Sequence, residues 1–246
     1  MRKTIHSLLR RGWNWTRSQD LIVLVLLFIL VAGTWSFIEL ADEVTEGETR
    51  EIDRAILRAL RSPNDPADPL GPRRIEEGIR DYTALGSVAV LGLVSAIVAG
   101  FLLLARKYAA FILLVCALGG GLGLNWTLKR YFARERPDFV SHLHYVDSYS
   151  FPSGHALLSA VVYLTLGALV ARLVTHRRQK IYVLAVAALF AFIVGFSRVY
   201  LGVHYPTDVL AGWTVGLLWA ILCWLVARYL QRRGTVERPG PPPENR

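Results

Sequence analysis

The sequence predicts an all-α polytopic membrane protein, a six-transmembrane helix bundle with short interfacial helices in its first outer loop. Hydrophobic residues make up 53% of the 246 positions, and the mean hydropathy is +0.37. A soluble domain of this length is less apolar, so the excess must face lipid. Several runs approach the roughly 20 apolar residues that a helix needs to cross a bilayer.

The six predicted spans occupy residues 21–40, 85–105, 108–128, 156–174, 181–201 and 208–226. The first apolar stretch is longer than that of a typical signal peptide, so it is expected to be a retained anchor. The outer segment 41–84 contains two short helical patterns, 52–60 and 75–82, each with a single apolar stripe. Such helices typically lie flat on the membrane surface, and residues 1–20 are predicted to do the same on the inner side.

The connections on the two sides of the bundle differ in charge. The side that holds both termini carries sixteen of the 28 lysine and arginine residues but only three of the 19 acidic residues. The positive-inside rule makes that side cytoplasmic. The formal net charge of +9 is therefore interpreted as a topology signal, not as a nucleic-acid-binding surface. Residues 1–246 are expected to form a single membrane-embedded domain, with a disordered cytoplasmic tail at 234–246.

The unusual polar residues collect in two outer connections, the first of which opens with two spaced cations, Lys129 and Arg136. An arginine forks across two oxygens of an oxyanion while a lysine supplies a point charge, so the pair suits phosphate. The alternative is that they only flank a span. Against that alternative, the topology rule predicts few cations on the outside.

The same connection ends in Ser153, Gly154 and His155, immediately before the fourth span. A helix N-terminus offers unpaired N–H groups and a positive dipole potential, and Gly154 permits close approach of an anion. The alternative for Ser153 is a simple helix cap. His155 is placed to donate a proton to a leaving group.

The second outer connection contains Arg198, His204 and Asp208. The spacing brings Asp208 within reach of a hydrogen bond from the His204 imidazole. Such a carboxylate fixes the tautomer and leaves the other ring nitrogen free to attack. A histidine and an aspartate at this spacing also suit a metal, but no compact third and fourth ligand accompanies them, even counting the nearby His142, His144 and Asp147.

Together the three motifs resemble the signature of the type 2 phosphatidic acid phosphatase family, which includes the vanadium haloperoxidases. The matching positions are Lys129-x6-Arg136-Pro137, Pro152-Ser153-Gly154-His155 and Ser197-Arg198-x5-His204-x3-Asp208. Each motif is modest alone, and the ordered set is a strong signal. The resemblance covers residues 129–208 by motif, and the region before residue 85 adds little to it.

The resemblance implies that His204 attacks phosphorus, that Asp208 orients it and that His155 protonates the leaving group. The residues implied to bind the phosphate oxygens are Lys129, Arg136, Ser153, Gly154 and Arg198. It also implies a metal-independent hydrolase without a cofactor. Three cations and a helix N-terminus can supply the electrostatic stabilisation that Mg²⁺ gives elsewhere.

The expected function is therefore that of a membrane lipid phosphatase working at the extracytoplasmic face of a cell membrane of the bacterial inner-membrane type. Undecaprenyl diphosphate, phosphatidic acid and phosphatidylglycerol phosphate all remain open as substrates. One alternative is a phosphotransferase that uses the same histidine and passes phosphate to another lipid or a glycan. A noncatalytic scaffold or lipid carrier would have no reason to keep the complete set of residues.

Overall fold

Helices account for most of the described chain, which in this computed structural model comprises residues 2–63, 65, 67–137 and 149–232. Within those residues the only β pairing is an isolated bridge between Arg61 and Pro69. The eight helices found there are α1 (Arg2–Glu46), α2 (Arg50–Ala59), α3 (Arg73–Ala84), α4 (Val88–Leu104), α5 (Tyr108–Phe132), α6 (Gly154–Ala171), α7 (Arg177–Tyr200) and α8 (Pro206–Arg232).

Five of these helices are long and apolar enough to cross a membrane by themselves: α5, α6, α7, most of α8 and the part of α1 from Leu21 to Glu46. Helix α4 has 17 residues, and it becomes a sixth span when it is taken together with α3, from which it is bent by 46°. The prediction of an all-α polytopic bundle is confirmed. The apolar helix of this pair, α4, lies within the predicted second span, 85–105.

The outer segment differs in detail from the prediction. Helix α1 runs without a break through residues 2–46, so residues 2–20 are continuous with the first span and the outer segment begins at Gly47. Both short helices exist, as α2 and α3. Helix α3 packs against α7 and leads across a three-residue break into α4, from which it is bent by 46°. The proposed disordered tail at 234–246 lies outside the described residues.

Three helix ends carry the predicted motifs, and local sequence sets each of them. Helix α5 runs past the predicted end at 128 and stops at Ala133, whose φ of 45° lies in the left-handed region. Helix α6 starts directly after Ser153, which has extended backbone. Helix α8 starts at Pro206, whose fixed φ suits a first helical position. The last turn of α5 and the first turns of α6 and α8 therefore bear functional candidates.

Helix α6 forms the centre of the bundle and packs against α5, α7 and α8. Its apolar residues are buried nearly all round. The core cluster, to which α4, α5 and α8 also contribute, comprises Leu91, Ala117, Leu157, Leu158, Val161, Val162 and Val215. The lipid-facing sides of the other helices keep large apolar side chains exposed, as expected of a membrane bundle.

Helices α6 and α8 approach each other closely through two glycines of α8, Gly212 and Gly216. A Cβ atom at Gly212 would lie 2.6 Å from the carbonyl oxygen of Ser153, and one at Gly216 would lie 2.5 Å from that of Leu157. Small residues at this four-residue spacing let membrane helices pack backbone to backbone. A hydrogen bond of 2.8 Å from the N–H of Ser153 to the carbonyl oxygen of Asp208 joins the N-terminal ends of the two helices.

We expect Gly216→Ala to lower the thermal unfolding temperature in detergent, because its added methyl group can be accommodated only if α6 and α8 separate. Overpacking of this kind costs about 1–3 kcal/mol. The matched control is Gly119→Ala on α5, where an added Cβ meets no atom within 4 Å. Equal unfolding temperatures for the two variants would show that this helix contact does not limit stability.

Candidate active site

Three segments that are distant in sequence meet at one end of the bundle. They are the last turn of α5 with the residues up to 137, the N-terminus of α6 with Ser153 before it, and the stretch from the last turn of α7 to the first turn of α8. The contact between α6 and α8 brings the second and third together, and α5 packs against both helices. The eight residues predicted for the site all belong to these segments.

His204 and Asp208 form a buried pair at the start of α8. Their exposed fractions are 2% and 0%, and His204 Nδ1 lies 3.3 Å from Asp208 Oδ2. The same carboxylate oxygen accepts the N–H of Tyr205 at 2.9 Å. Because an ionised carboxylate only accepts hydrogen bonds, the imidazole nitrogen that faces it, Nδ1, must carry the proton. The lone pair of His204 is then on Nε2.

Arg136 lies against that second nitrogen. Its Nη1 is 3.2 Å from His204 Nε2 and donates to the carbonyl oxygen of Val203 at 2.9 Å. The guanidinium is thus anchored on the backbone of the connection next to His204. An oxyanion that approached Nε2 would therefore meet a positive charge at once.

The surroundings of His204 keep its imidazole neutral. Burial lowers the pKa of His204 well below its ordinary value, and the nearby charges of Arg136, Arg198 and Lys129 lower it further. His155 is also close enough to act on that pKa in the same direction. A histidine with a lowered pKa keeps the free lone pair that a nucleophile needs at neutral pH.

The N-terminus of α6 borders the same space. The Ser153 hydroxyl and the Asn125 side-chain oxygen are buried with no hydrogen-bond partner in the described part of the chain. A Cβ at Gly154 would lie 3.1 Å from that Asn125 oxygen, so glycine allows the amide of α5 to pack against the start of α6. Buried polar groups usually have partners, and the Ser153 hydroxyl is placed to donate to an oxyanion bound at this helix N-terminus.

Two further cations complete the cluster. Lys129 is 8% exposed, and its ammonium donates to the carbonyl oxygen of Tyr149. Arg198, in the last turn of α7, donates from Nη1 to the Thr83 hydroxyl of α3 at 3.1 Å. Its Nε is buried without a partner among the described residues. Both side chains therefore keep hydrogen-bond donors available for an additional acceptor.

His155 packs against the break between α3 and α4. A Cβ at Gly86 would lie 3.2 Å from His155 Cδ2 and would also collide with Val194. The absence of a side chain at Gly86 thus makes room for the imidazole. The break between α3 and α4 therefore borders the site at His155, a contact that the sequence motifs do not reveal.

Two site residues escaped the sequence analysis. Arg134 lies within the basic run before Pro137, and that run was a signal in the sequence. The role of Arg134, however, depends on contact partners that the sequence of the run does not reveal. Asp53 on α2 is completely buried and forms a salt bridge with Arg134 at 2.8 Å. Nothing around Asp53 in the sequence marks it, because only tertiary packing brings α2 to α8.

A metal centre has no support in the described part of the chain, where no three His, Cys, Asp or Glu side chains are grouped to hold an ion. The three additional ligands considered from the sequence, His142, His144 and Asp147, lie outside the described residues.

A neutral imidazole, a buried carboxylate and several cations at the end of a membrane helix bundle define a site for phosphate chemistry. The chain belongs to the PAP2 superfamily, whose sequence model matches residues 108–232. The prediction of this family, and with it of a membrane-bound hydrolase of phosphoric esters, is confirmed.

Individual relatives extend the match. The chain is 34% identical over 183 residues to phosphatidylglycerophosphatase B of Bacillus subtilis. That alignment covers 74% of this chain and 86% of the relative. It is 36% identical over 110 residues to undecaprenyl-diphosphatase of Sulfolobus acidocaldarius, covering 43% of this chain and 49% of that relative.

A crystal structure shares the fold. The transmembrane PAP2-type phosphatidylglycerolphosphate phosphatase from Bacillus subtilis superposes with a TM-score of 0.71 at 30% identity. The alignment covers 82% of this chain and 98% of the other.

Proposed function

We propose that this chain hydrolyses a lipid phosphate monoester or diphosphate through a phosphohistidine formed on His204. The observation that carries the proposal is the buried His204–Asp208 pair, whose Nε2 faces Arg136 at 3.2 Å among further cations. This arrangement provides both a nucleophile and the charge to hold the group it attacks.

Binding of the phosphate comes first. Arg136, Arg198 and Lys129 offer guanidinium and ammonium donors, while the Ser153 hydroxyl and the backbone at Gly154 offer neutral ones. The three cations repel one another in the free protein, so an anion between them relieves that repulsion. A five-coordinate phosphorus carries its charge on three equatorial oxygens, which these donors can stabilise without a metal ion.

Phosphoryl transfer follows. The lone pair of His204 Nε2 forms a bond to phosphorus while the bond from phosphorus to the leaving oxygen breaks. His155 gives its proton to that oxygen, because the phosphate brings the negative charge that lets an imidazolium exist among the cations. The ring of His204 becomes positive on transfer, and Asp208 stabilises it through Nδ1–H.

Hydrolysis restores the enzyme. Now neutral, His155 takes a proton from water as the water oxygen bonds to phosphorus and the N–P bond breaks. The electron pair of that bond returns to Nε2, so inorganic phosphate leaves and His204 is neutral again. The same residue thus acts as acid in one half-reaction and as base in the other.

The substrate class follows from where the site lies. It occupies the end of a bundle whose sides are apolar, so the phosphate of a lipid can reach it while the hydrocarbon chain stays in the bilayer. The names of two relatives specify phosphatidylglycerophosphate and undecaprenyl diphosphate. We propose these two lipids, with phosphatidic acid, as the candidates.

Purified protein in detergent should release inorganic phosphate from at least one of these three lipids, and the release should continue in excess EDTA because protein cations supply the positive charge. Phosphate release without an added acceptor identifies a hydrolase. Activity that stops in EDTA and returns with Mg²⁺ or Zn²⁺ contradicts the metal-independent mechanism, and release only with an added acceptor lipid identifies a phosphotransferase.

His204→Ala and His155→Ala should respond differently to the leaving group. His204→Ala removes the atom that bonds to phosphorus and should abolish turnover with every substrate. His155→Ala should lose about 10²- to 10⁴-fold with a lipid substrate, the usual range for general acid catalysis. With p-nitrophenyl phosphate, whose phenolate needs little protonation, His155→Ala should recover part of its rate.

Trapping of the phosphohistidine intermediate provides the control for the two histidine variants. Acid-labile ³²P should remain on His155→Ala protein quenched during turnover of the activated substrate, and none should remain on His204→Ala protein. Label on the protein that lacks His204, or equal responses of both variants to the leaving group, would contradict the assignment of nucleophile and acid.

We further propose that the site faces the exterior or the periplasm and that both termini are cytoplasmic, which the charge asymmetry of the connections supports. The residue pair that tests this is Ala67, exposed between α2 and α3, and Thr175, exposed between α6 and α7. In a background without Cys116 and Cys223, Ala67→Cys should react with an impermeant maleimide in intact cells. Thr175→Cys should react only after lysis, and the reverse pattern would invert the topology.

A further inference from the structure

Asp53 lies on α2, far from the three motifs in sequence, and its carboxylate is completely buried. Oδ1 accepts the backbone N–H of Thr207 at 3.1 Å, and Oδ2 accepts the Thr207 hydroxyl at 2.6 Å. Thr207 is the second residue of α8, so a carboxylate from another helix caps one of the N–H groups that a helix start leaves unpaired. Asp53 therefore fixes the first turn of α8, which carries Asp208.

Arg134 connects Asp53 to the carboxylate beside the nucleophile. Its Nη2 donates to Asp53 Oδ2 at 2.8 Å and its Nη1 donates to Asp208 Oδ1 at 2.7 Å. The guanidinium also stacks over the ring of Tyr205, 4.2 Å from its centroid. Arg134 is thus held by two protein carboxylates and an aromatic face, whereas Arg136 is held beside His204.

Two carboxylates share one guanidinium, and this sharing affects the electrostatic potential at His204. Burial lowers the pKa of Arg134, but Asp208 and Asp53 outweigh it and raise the pKa overall, so the guanidinium stays protonated. Two carboxylates and one guanidinium leave a net negative charge. If Arg134 paired with Asp208 alone, the pair would be neutral, and less negative potential would remain to stabilise a positive imidazole ring.

We infer that Asp53 is a positioning residue for the phosphatase reaction. It holds Arg134 and the first turn of α8 so that Asp208 stays aligned with His204 Nδ1 and keeps enough negative charge to stabilise the phosphohistidine. The inference rests on the proposed role of His204 as nucleophile. It assigns part of the catalytic apparatus to the outer segment between the first two spans.

A positioning role for Asp53 and a purely structural role predict changes in different measured quantities. A carboxylate that only docks α2 onto α8 would, when removed, reduce the amount or the thermal stability of folded protein and leave the chemistry of the folded fraction unchanged. A positioning residue should instead affect kcat with little change in KM, because the side chains that Asp53 contacts, Thr207 and Arg134, are not among the proposed phosphate-binding groups.

The test compares Asp53→Asn with Glu51→Gln, an identical loss of charge from an exposed residue on the same helix. The measurements are kcat, KM and the single-turnover rate of phosphohistidine formation, on protein shown to be folded by its elution profile and unfolding temperature. Asp53→Asn should lower kcat and the transfer rate roughly 10- to 100-fold, as loss of an outer-shell partner commonly does. KM should stay within about two-fold, and Glu51→Gln should behave like the wild type.

A second variant covers the case in which Asp53→Asn does not fold. Arg134→Lys keeps the charge but cannot bridge both carboxylates, so it should show the same selective loss of kcat. Wild-type kcat in folded Asp53→Asn, or in Arg134→Lys if the first variant does not fold, overturns the inference. A wild-type protein that forms no phosphohistidine overturns the proposed function instead, so the two failures are distinguishable.

Discussion

The close approach of α6 and α8 is the contact on which the site depends, because each helix begins at a functional segment. Gly212 and Gly216 remove the side chains that would hold the two backbones apart, and the hydrogen bond from Ser153 to Asp208 aligns their N-terminal ends. A larger separation would move His155, at the start of α6, away from His204, which lies just before α8. The glycines therefore act on the chemistry through geometry alone, without contributing a functional group.

A second constraint is the accumulation of positive charge at the end of a membrane bundle. Arg136, Arg198 and Lys129 lie close enough together to lower the pKa of His204, and buried donors of Arg198 and Ser153 have no partner in the described residues. Such an arrangement is unfavourable unless an anion shares it. An anion bound among these cations would relieve that repulsion, and in the proposed reaction this is how protein groups alone would stabilise a pentacoordinate phosphorus.

The outer segment between the first two spans completes the site instead of merely covering it. It attaches to the catalytic helices at three places: Asp53 to the start of α8, Arg61 to the carbonyl oxygen of Tyr200 at the end of α7, and Thr83 to Arg198. The Tyr200 hydroxyl returns a hydrogen bond of 2.8 Å to the Leu70 carbonyl oxygen. Displacement of this segment would release both the arginine on α7 and the aspartate network on α8.

The class of fold and the family were predictable from the sequence, together with six spans, of which five stand as single helices and the sixth requires α3 and α4 together. Apolar runs about 20 residues long report directly on the bilayer, and the three motifs report on the chemistry because both are local properties of the chain. The long apolar runs and the order Lys129, His155, His204 were readable for that reason. The packing of α3 against α7 was not, because the amphipathic pattern of α3 predicts a short surface helix without identifying its neighbour.

The groups that surround His204, by contrast, emerge only from the tertiary structure. Asp53 is one of two acidic residues on a short helix, and no spacing in the sequence links it to Arg134, 81 positions away. Its significance arises from complete burial, which makes an unpaired carboxylate costly and so requires the partners that it has. Local patterns thus identify residues that act on a ligand, whereas residues that act through other residues become visible only when packing brings them together.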